Sequence, residues 1–523
     1  MCKHHQEIYY LCMKKIIFLL FSFTALVVQA QTPDEALRTA WFTQNGTARV
    51  MAIGGVMGSL GGDISANHIN PAGLGLFKTN ELVLSPGFLM NNNKFNYRGK
   101  DTSASKSNFG YGTSGIILAG KNERGSKWTS SAFAISVNQL ANYNNNIQYG
   151  GFNNFSSFSE KYLEELVKDR ADTNAALSNY IFGSSLAFRT YLVDTTRGPG
   201  GAFTGYQSLV PISSGVNQFY NAQTRGGYNE IAIGFAENMN DQLYIGGSFN
   251  IPIINYSRDL FYSEKDATNN TNNDFRFFEY KETYSSKGAG IGAKLGMIYK
   301  PQEFIRLGFA IHTPQLLTMT DRIRSSMTTN TENYAGLLTE TSDNLNSGNE
   351  GISRYNIITP YRIIASASYV FREVNDTRLQ KGFISADVEF VNYRGARFNA
   401  ASENAENITL ENYYRQINET IKDTYKGNIN AKLGGELKFN TWMFRLGGAY
   451  YGSPYADNVL NANRIIATGG LGYRNKGFFI DLAYSHIMNK DFQFPYLLED
   501  KANTFAKQTG YRGNVMLTFG FKL

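Results

Sequence analysis

The sequence predicts an all-β protein, a transmembrane antiparallel β-barrel of about fourteen strands with an N-terminal lumenal hatch. Three observations carry this expectation. The N-terminus is laid out as an export signal, no later stretch is apolar enough for a membrane helix, and from about Glu81 the chain alternates apolar and polar residues in short runs.

Lys14-Lys15 precede an apolar run from Ile16 to Val28, and Val28-Gln29-Ala30 has the small-residue pattern of a cleavage site. Residues 1–30 therefore read as a signal peptide, with Met13 the expected start and Gln31 the expected first mature residue. Both cysteines, Cys2 and Cys12, precede that point, so the mature chain is expected to have no disulfide, no cysteine metal site and no lipid-bearing cysteine.

Composition then separates a barrel from a soluble exported domain. The chain has 51 glycines, 33 tyrosines and 37 phenylalanines but only 18% charged residues, against about 25% in an ordinary soluble domain. Excess glycine and aromatic residues suit a barrel wall. The formal charge is +7, of which Lys3, Lys14, Lys15 and Glu7 supply a net +2 in the leader. Lysines and arginines are scattered among acids and asparagines, which excludes the clustered basic face of a nucleic-acid partner.

The strands are expected near residues 80–98, 109–119, 128–145, 227–238, 242–262, 276–299, 303–313, 359–371, 382–398, 427–439, 442–453, 463–474, 477–487 and 511–523. In the last, Val515, Leu517, Phe519, Phe521 and Leu523 share one face and Asn514, Met516, Thr518, Gly520 and Lys522 the other. Residues 428–439 repeat the pattern, with Ile429, Ala431, Leu433, Leu437 and Phe439 opposite Asn430, Lys432, Gly434 and Glu436. A β-sandwich or solenoid would use such faces too. Loop lengths favour the barrel: short connections at 122–125, 238–241, 300–302, 440–441 and 474–476 alternate with long polar ones, as in outer-membrane barrels.

The domain reading follows: a signal peptide at 1–30, a hatch at 31–79 and a barrel at 80–523, whose longest connection is 146–226. That connection and 315–358 are expected at the cell surface. Within the first, Ser159 to Leu177 has helical spacing, and Phe155, Phe158, Tyr162, Leu163 and Leu166 form a candidate site for capturing an apolar ligand. On the inward faces, Arg306, Asp387, Glu389, Lys432, Glu436 and Arg445 are candidate lumenal polar residues. Asp387 and Glu389 invite a reading as a catalytic pair, but charge pairing across a polar lumen explains them, and no nucleophile constellation accompanies them. No catalytic residue, metal site or cofactor is expected; His68, His312 and His486 have no ligand spacing. The run from Gly54 to Gly62 lacks the lysine and the preceding strand of a phosphate loop and reads as close packing inside a barrel.

At Asn70-Pro71-Ala72-Gly73-Leu74-Gly75, together with Gly46-Thr47-Ala48-Arg49, the sequence resembles the hatch of the FadL family of outer-membrane long-chain fatty acid and hydrocarbon transporters. The segments 294–301, 307–314, 385–393, 434–436 and 445–447 agree with it. The resemblance implies a fourteen-stranded barrel in the cell outer membrane. It also implies a gate built on Asn70, Pro71 and Ala72, and passive uptake of hydrophobic small molecules such as long-chain fatty acids or hydrocarbons. An outer-membrane receptor or adhesin on the same barrel is the alternative. The expected partners are the solute, outer-membrane lipid and lipopolysaccharide, and the barrel assembly machinery, for a monomer that binds no nucleic acid. The family's wall opening belongs to its third strand, where Asn138-Gln139 breaks the alternation here but proline and glycine are lacking; Pro86-Gly87 in the first strand and Pro252 in the fifth are the places where broken pairing is expected.

Overall fold

Wall strands in this chain alternate side chains outward and inward, and a closed ladder leaves no unpaired edge in lipid. The computed structural model describes residues 33–122, 126–268, 270–371, 381–401, 407–458 and 462–523; the expected signal peptide lies outside them. Fourteen antiparallel strands close into a barrel. They are β1 (Glu81–Leu84 and Pro86–Tyr97), β2 (Lys100–Tyr111 and Ser114–Lys121), β3 (Trp128–Asn142 and Asn145–Asn153), β4 (Val216–Met239) and β5 (Leu243–Asp266). There follow β6 (Phe277–Gln302), β7 (Ile305–His312 and Leu316–Asn330), β8 (Gly351–Ile358 and Arg362–Phe371) and β9 (Gly382–Asn392 and Arg397–Ala400). The wall ends with β10 (Gly427–Phe439), β11 (Trp442–Tyr451), β12 (Arg464–Asn475), β13 (Phe478–Gln493) and β14 (Ala506–Lys522). Closure runs from Glu81↔Lys522 to Asn96↔Lys507.

The strand faces follow the alternation. On β10, Ile429, Leu433 and Leu437 point outward and are more than half exposed, while Asn430 and Lys432 are buried in the lumen. Leu295, Phe309 and Phe235 continue the outward apolar band on β6, β7 and β4. No helix among the described residues is long and apolar enough to cross a membrane.

Several strands outrun their expected limits on the loop side. The stretch 99–108, expected as a connection, is a tight turn at Arg98-Gly99 followed by strand, and the expected surface loop 315–358 is strand over Leu316–Asn330 and Gly351–Ile358. The physical reason is that the wall there stands beyond the apolar band, so both faces carry polar residues and the alternation that marks a strand in lipid is lost. The expected helix at Ser159–Leu177 is two helices. Phe158–Lys168 begins with a capping box of Ser157 and Glu160, and Thr173–Ser178 is capped by Asp172. Arg170, at φ 48°, turns the chain between them. The 17-residue helix Ile408–Thr424 was not expected; its Leu410, Tyr414, Ile417 and Ile421 are buried on one stripe.

Inside the wall lies the N-terminal segment, with α1 (Pro33–Arg38), α2 (Ala48–Ala52), α3 (Ala66–Ile69) and a 3-10 turn at Pro71–Leu76. Most of its side chains from Thr47 to Gly75 are buried. Glycines on the inner wall make room for its backbone. A Cβ at Gly308 would lie 2.0 Å from Gly58 O, and one at Gly434 would lie 2.1 Å from Ile53 O, so any side chain at either place would collide with main chain.

Candidate functional site

Asn70 stands where the hatch meets the wall. Its Nδ2 donates to Gly58 O at 2.6 Å and to Met297 O on β6 at 3.2 Å, and its Oδ1 accepts from Ala72 N at 3.2 Å, which starts the 3-10 turn. Pro71 fixes φ beside it and packs on Gly246, and Ala72 is buried against Tyr244 and Ile298. The three expected gate residues are thus brought together at the wall.

The expected lumenal residues divide by partner. Asp387 accepts from Met57 N and Gly58 N, both at 3.0 Å, and Arg306 donates to Leu60 O at 2.8 Å, so these two hold hatch backbone as well as lining the lumen. Glu389 lies between Lys432 and Arg362, each at 2.8 Å, and Arg445 between Glu436 and Asp481, each at 2.6 Å. A buried ion pair of this kind costs about 3–5 kcal/mol if one partner alone is removed.

Above Asn70, a cavity of about 40 Å³ separates hatch from wall, with Gln44, His68, Lys294, His312, Gln315 and Arg362 among its lining residues. His68 sits on α3 between Glu230 Oε1 at 2.8 Å and Ser136 Oγ at 2.9 Å, and burial pushes its pKa down. Glu230 also accepts from Lys294 Nζ and, at 2.7 Å, from Gln315 Nε2. The roof is aromatic: Trp41 lies under Arg464 at 3.6 Å and Phe42 under Arg362 at 4.3 Å. The helix Ile408–Thr424 packs Leu410, Tyr414 and Ile417 onto Trp41, Ala36 and Leu37.

Beside the cavity the wall ladder is interrupted. The half of β2 near the turns pairs with β3 from Lys121↔Ser130 to Ser114↔Val137; among the described residues, its other half pairs with β1 only. From Asn138 onward β3 pairs with β4, with a bulge between Gln139 and Ala141. The bulge belongs to the β3–β4 ladder, and on the β2 side the pairing changes partner across Gly112-Thr113. The ladders do break at Ser85, between β1 and β2, and at Pro252 the pairing of β5 with β6 skips Ile251 and Pro252 while the register on both sides is kept. The unpaired main chain at the gap is met from inside. Asn45, on the hatch, donates its two amide hydrogens to Tyr111 O on β2 at 2.9 Å and Gln139 O on β3 at 2.8 Å. On the outside, Tyr111 OH bridges to Asn229 Oδ1 on β4 at 2.8 Å.

Among the residues expected to capture ligand, Phe158, Tyr162 and Leu166 are buried in a core of the loop region with Tyr262, Phe278 and Tyr280, while Phe155 is exposed and Leu163 half-buried. Asn45, Tyr111, Glu230 and Lys294 escaped the sequence reading as site residues, whereas Gln139 stood out only as part of the break in alternation at Asn138-Gln139. For Glu230 a signal existed: it is in phase with Ala232 and Gly234 on a strand whose other face is Ile231, Ile233 and Phe235.

The architecture has solved counterparts. A FadL homologue from Pseudomonas aeruginosa superposes with a TM-score of 0.53 at 12% identity, covering 92% of this chain and 99% of that one. The fold is FadL-like. The toluene transporter TodX of P. putida superposes with a TM-score of 0.50, again at 12% identity with 92% and 99% coverage. No protein-family model matches the sequence, and no curated protein does.

Proposed function

We propose that this FadL-like barrel lies in the outer membrane and conducts hydrophobic small molecules passively, through the space between hatch and wall and out at the gap between β2 and β3. One observation carries this reading: the hatch residue Asn45 occupies the two main-chain carbonyls that the interrupted ladder leaves free. A hatch movement that withdraws Asn45 breaks both bonds together and opens the wall at that height. The solute then passes sideways into lipid and never crosses water, so no energy source is needed. A toluene transporter and a FadL homologue share the fold and support this class of solute. Asn70 and Pro71 serve as the anchor about which the hatch moves.

The test is uptake by intact Gram-negative cells of a hydrocarbon, an alcohol and a fatty acid, with and without this chain. At least one is expected to enter faster when the chain is present; no acceleration of any of them refutes the proposal. Replacing Asn70→Ala with Pro71→Ala is expected to leave the barrel folded and inserted but to change the rate. An unchanged rate in an inserted double variant reduces the pair to an ordinary turn.

A further inference from the structure

Three cations reach the cavity and face three carboxylates, while Arg464, above the roof, lies in the field of Asp491. Lys294 Nζ donates to Glu230, Arg362 and Lys432 share Glu389, and the charge of Asp387, which accepts from Met57 N and Gly58 N, also acts on Lys432. Arg362 also donates to Ala40 O and covers the ring of Phe42. No charge is left over at these three for an anionic ligand.

Of the neutral groups nearby, the indole N–H of Trp41 in the roof is one unpartnered donor among the described residues, and the others are acceptors. His312 Nε2 lies 2.7 Å from Ile69 O, so that nitrogen bears the proton and Nδ1 is an acceptor. Asn45 spends both amide hydrogens on Tyr111 O and Gln139 O, which fixes its orientation and leaves Oδ1 buried without a partner. Asn138, fully buried on β3, donates Nδ2 to Asn45 O at 3.3 Å, and its Oδ1 is likewise unpartnered among the described residues. The route from cavity to gap therefore offers acceptors that want a hydrogen.

We infer that this channel takes neutral hydrophobic solutes bearing a hydrogen-bond donor, such as alcohols and phenols, and discriminates against free carboxylates. This inference rests on the proposed channel function and narrows its substrate class. A carboxylate only accepts hydrogen bonds. It would meet bare amide oxygens and cations whose charge is spent, after giving up its own water. A hydroxyl gives its hydrogen to Asn45 or Asn138 and pays no such penalty.

Uptake of radiolabelled phenylbutanol, phenylbutyrate and butylbenzene by cells producing the full chain, against cells without it, separates the possibilities. These solutes share an aromatic ring and a four-carbon chain. Phenylbutanol is expected to be accelerated roughly tenfold or more over phenylbutyrate, the least that burying an unpaired carboxylate would cost, and also over butylbenzene. No acceleration of any of the three overturns the channel function itself. Acceleration with phenylbutyrate equal or faster overturns only the exclusion of carboxylates, and butylbenzene as fast as phenylbutanol overturns the need for a donor. Glu230→Gln leaves Lys294 uncompensated and is expected to raise phenylbutyrate uptake, while Glu230→Gln with Lys294→Gln restores neutrality and lowers it again. Heat-dependent gel migration reports whether each variant is a folded barrel; a folded Glu230→Gln variant that still excludes phenylbutyrate overturns the inference.

Discussion

Glu35, on α1, ties the start of the lumenal segment to the wall. Tyr284 OH and Tyr355 OH each lie between Glu35 and Asp321, at 2.7 and 3.1 Å from Asp321, with one hydrogen apiece to give to either carboxyl. Burial, reinforced by the charge of Asp321, pushes the Glu35 pKa up to about 7. The sign follows from linkage: the native contact holds its proton more tightly than the unfolded chain does, so its stability is complete below the ordinary value of 4.5 and is lost as pH rises to about 7. Amide protection over residues 33–41, corrected for intrinsic exchange, is expected to fall between about pH 5 and about pH 8 and to become flat in Glu35→Gln. Equal protection of the wild-type chain at both values contradicts this. Neither Glu35 nor Asn45 was legible in the sequence, because each owes its role to wall residues far along the chain, 66 and 94 positions away for Asn45 and 249 and more for Glu35. Asn70 and Pro71 were legible because their motif is local.

At the scale of the element, β10 tests the assignment of faces. Leu433 points outward, 57% exposed in the barrel, and Lys432 points inward to Glu389. Leu433→Arg near the middle of the bilayer is expected to destabilise the folded barrel by about 2–4 kcal/mol, whereas Leu433→Ile is expected to change little; equal unfolding midpoints for the two variants reverse the faces. The limits of β10 were read to within a residue, since its whole length lies in the apolar band. Those of β2 and β7 were not, since Asp101 to Asn108 and Thr318 to Thr329 extend past the band and read as loop. The helix Ile408–Thr424 had a readable stripe at Leu410, Tyr414, Ile417 and Ile421, but its surroundings of asparagine and glutamate masked it. The split of the 158–178 helix turned on Arg170, a residue with no intrinsic preference for positive φ.

For the whole molecule, the number of strands was recoverable because connections alternate in length, and the glycine excess because the hatch backbone touches the wall. The interruption between β2 and β3 was recoverable only in part, as the break in alternation at Asn138-Gln139. There β3 bulges against β4 between Gln139 and Ala141 and β2 changes partner across Gly112-Thr113, while no proline or glycine marks β3 itself. The proposed route stands or falls on that interruption. Tyr111→Cys and Asn229→Cys place thiols on either side of β3 at the gap, where the native side chains meet at 2.8 Å. Joining them with a short cleavable bis-maleimide closes the wall without touching the hatch. The decisive measurement is uptake of a neutral hydrophobic alcohol by cells carrying the joined barrel. It is expected to fall to the rate of cells without the chain and to recover when the linker is cleaved; a fully linked barrel that takes up the alcohol at the unlinked rate would contradict passage through the gap.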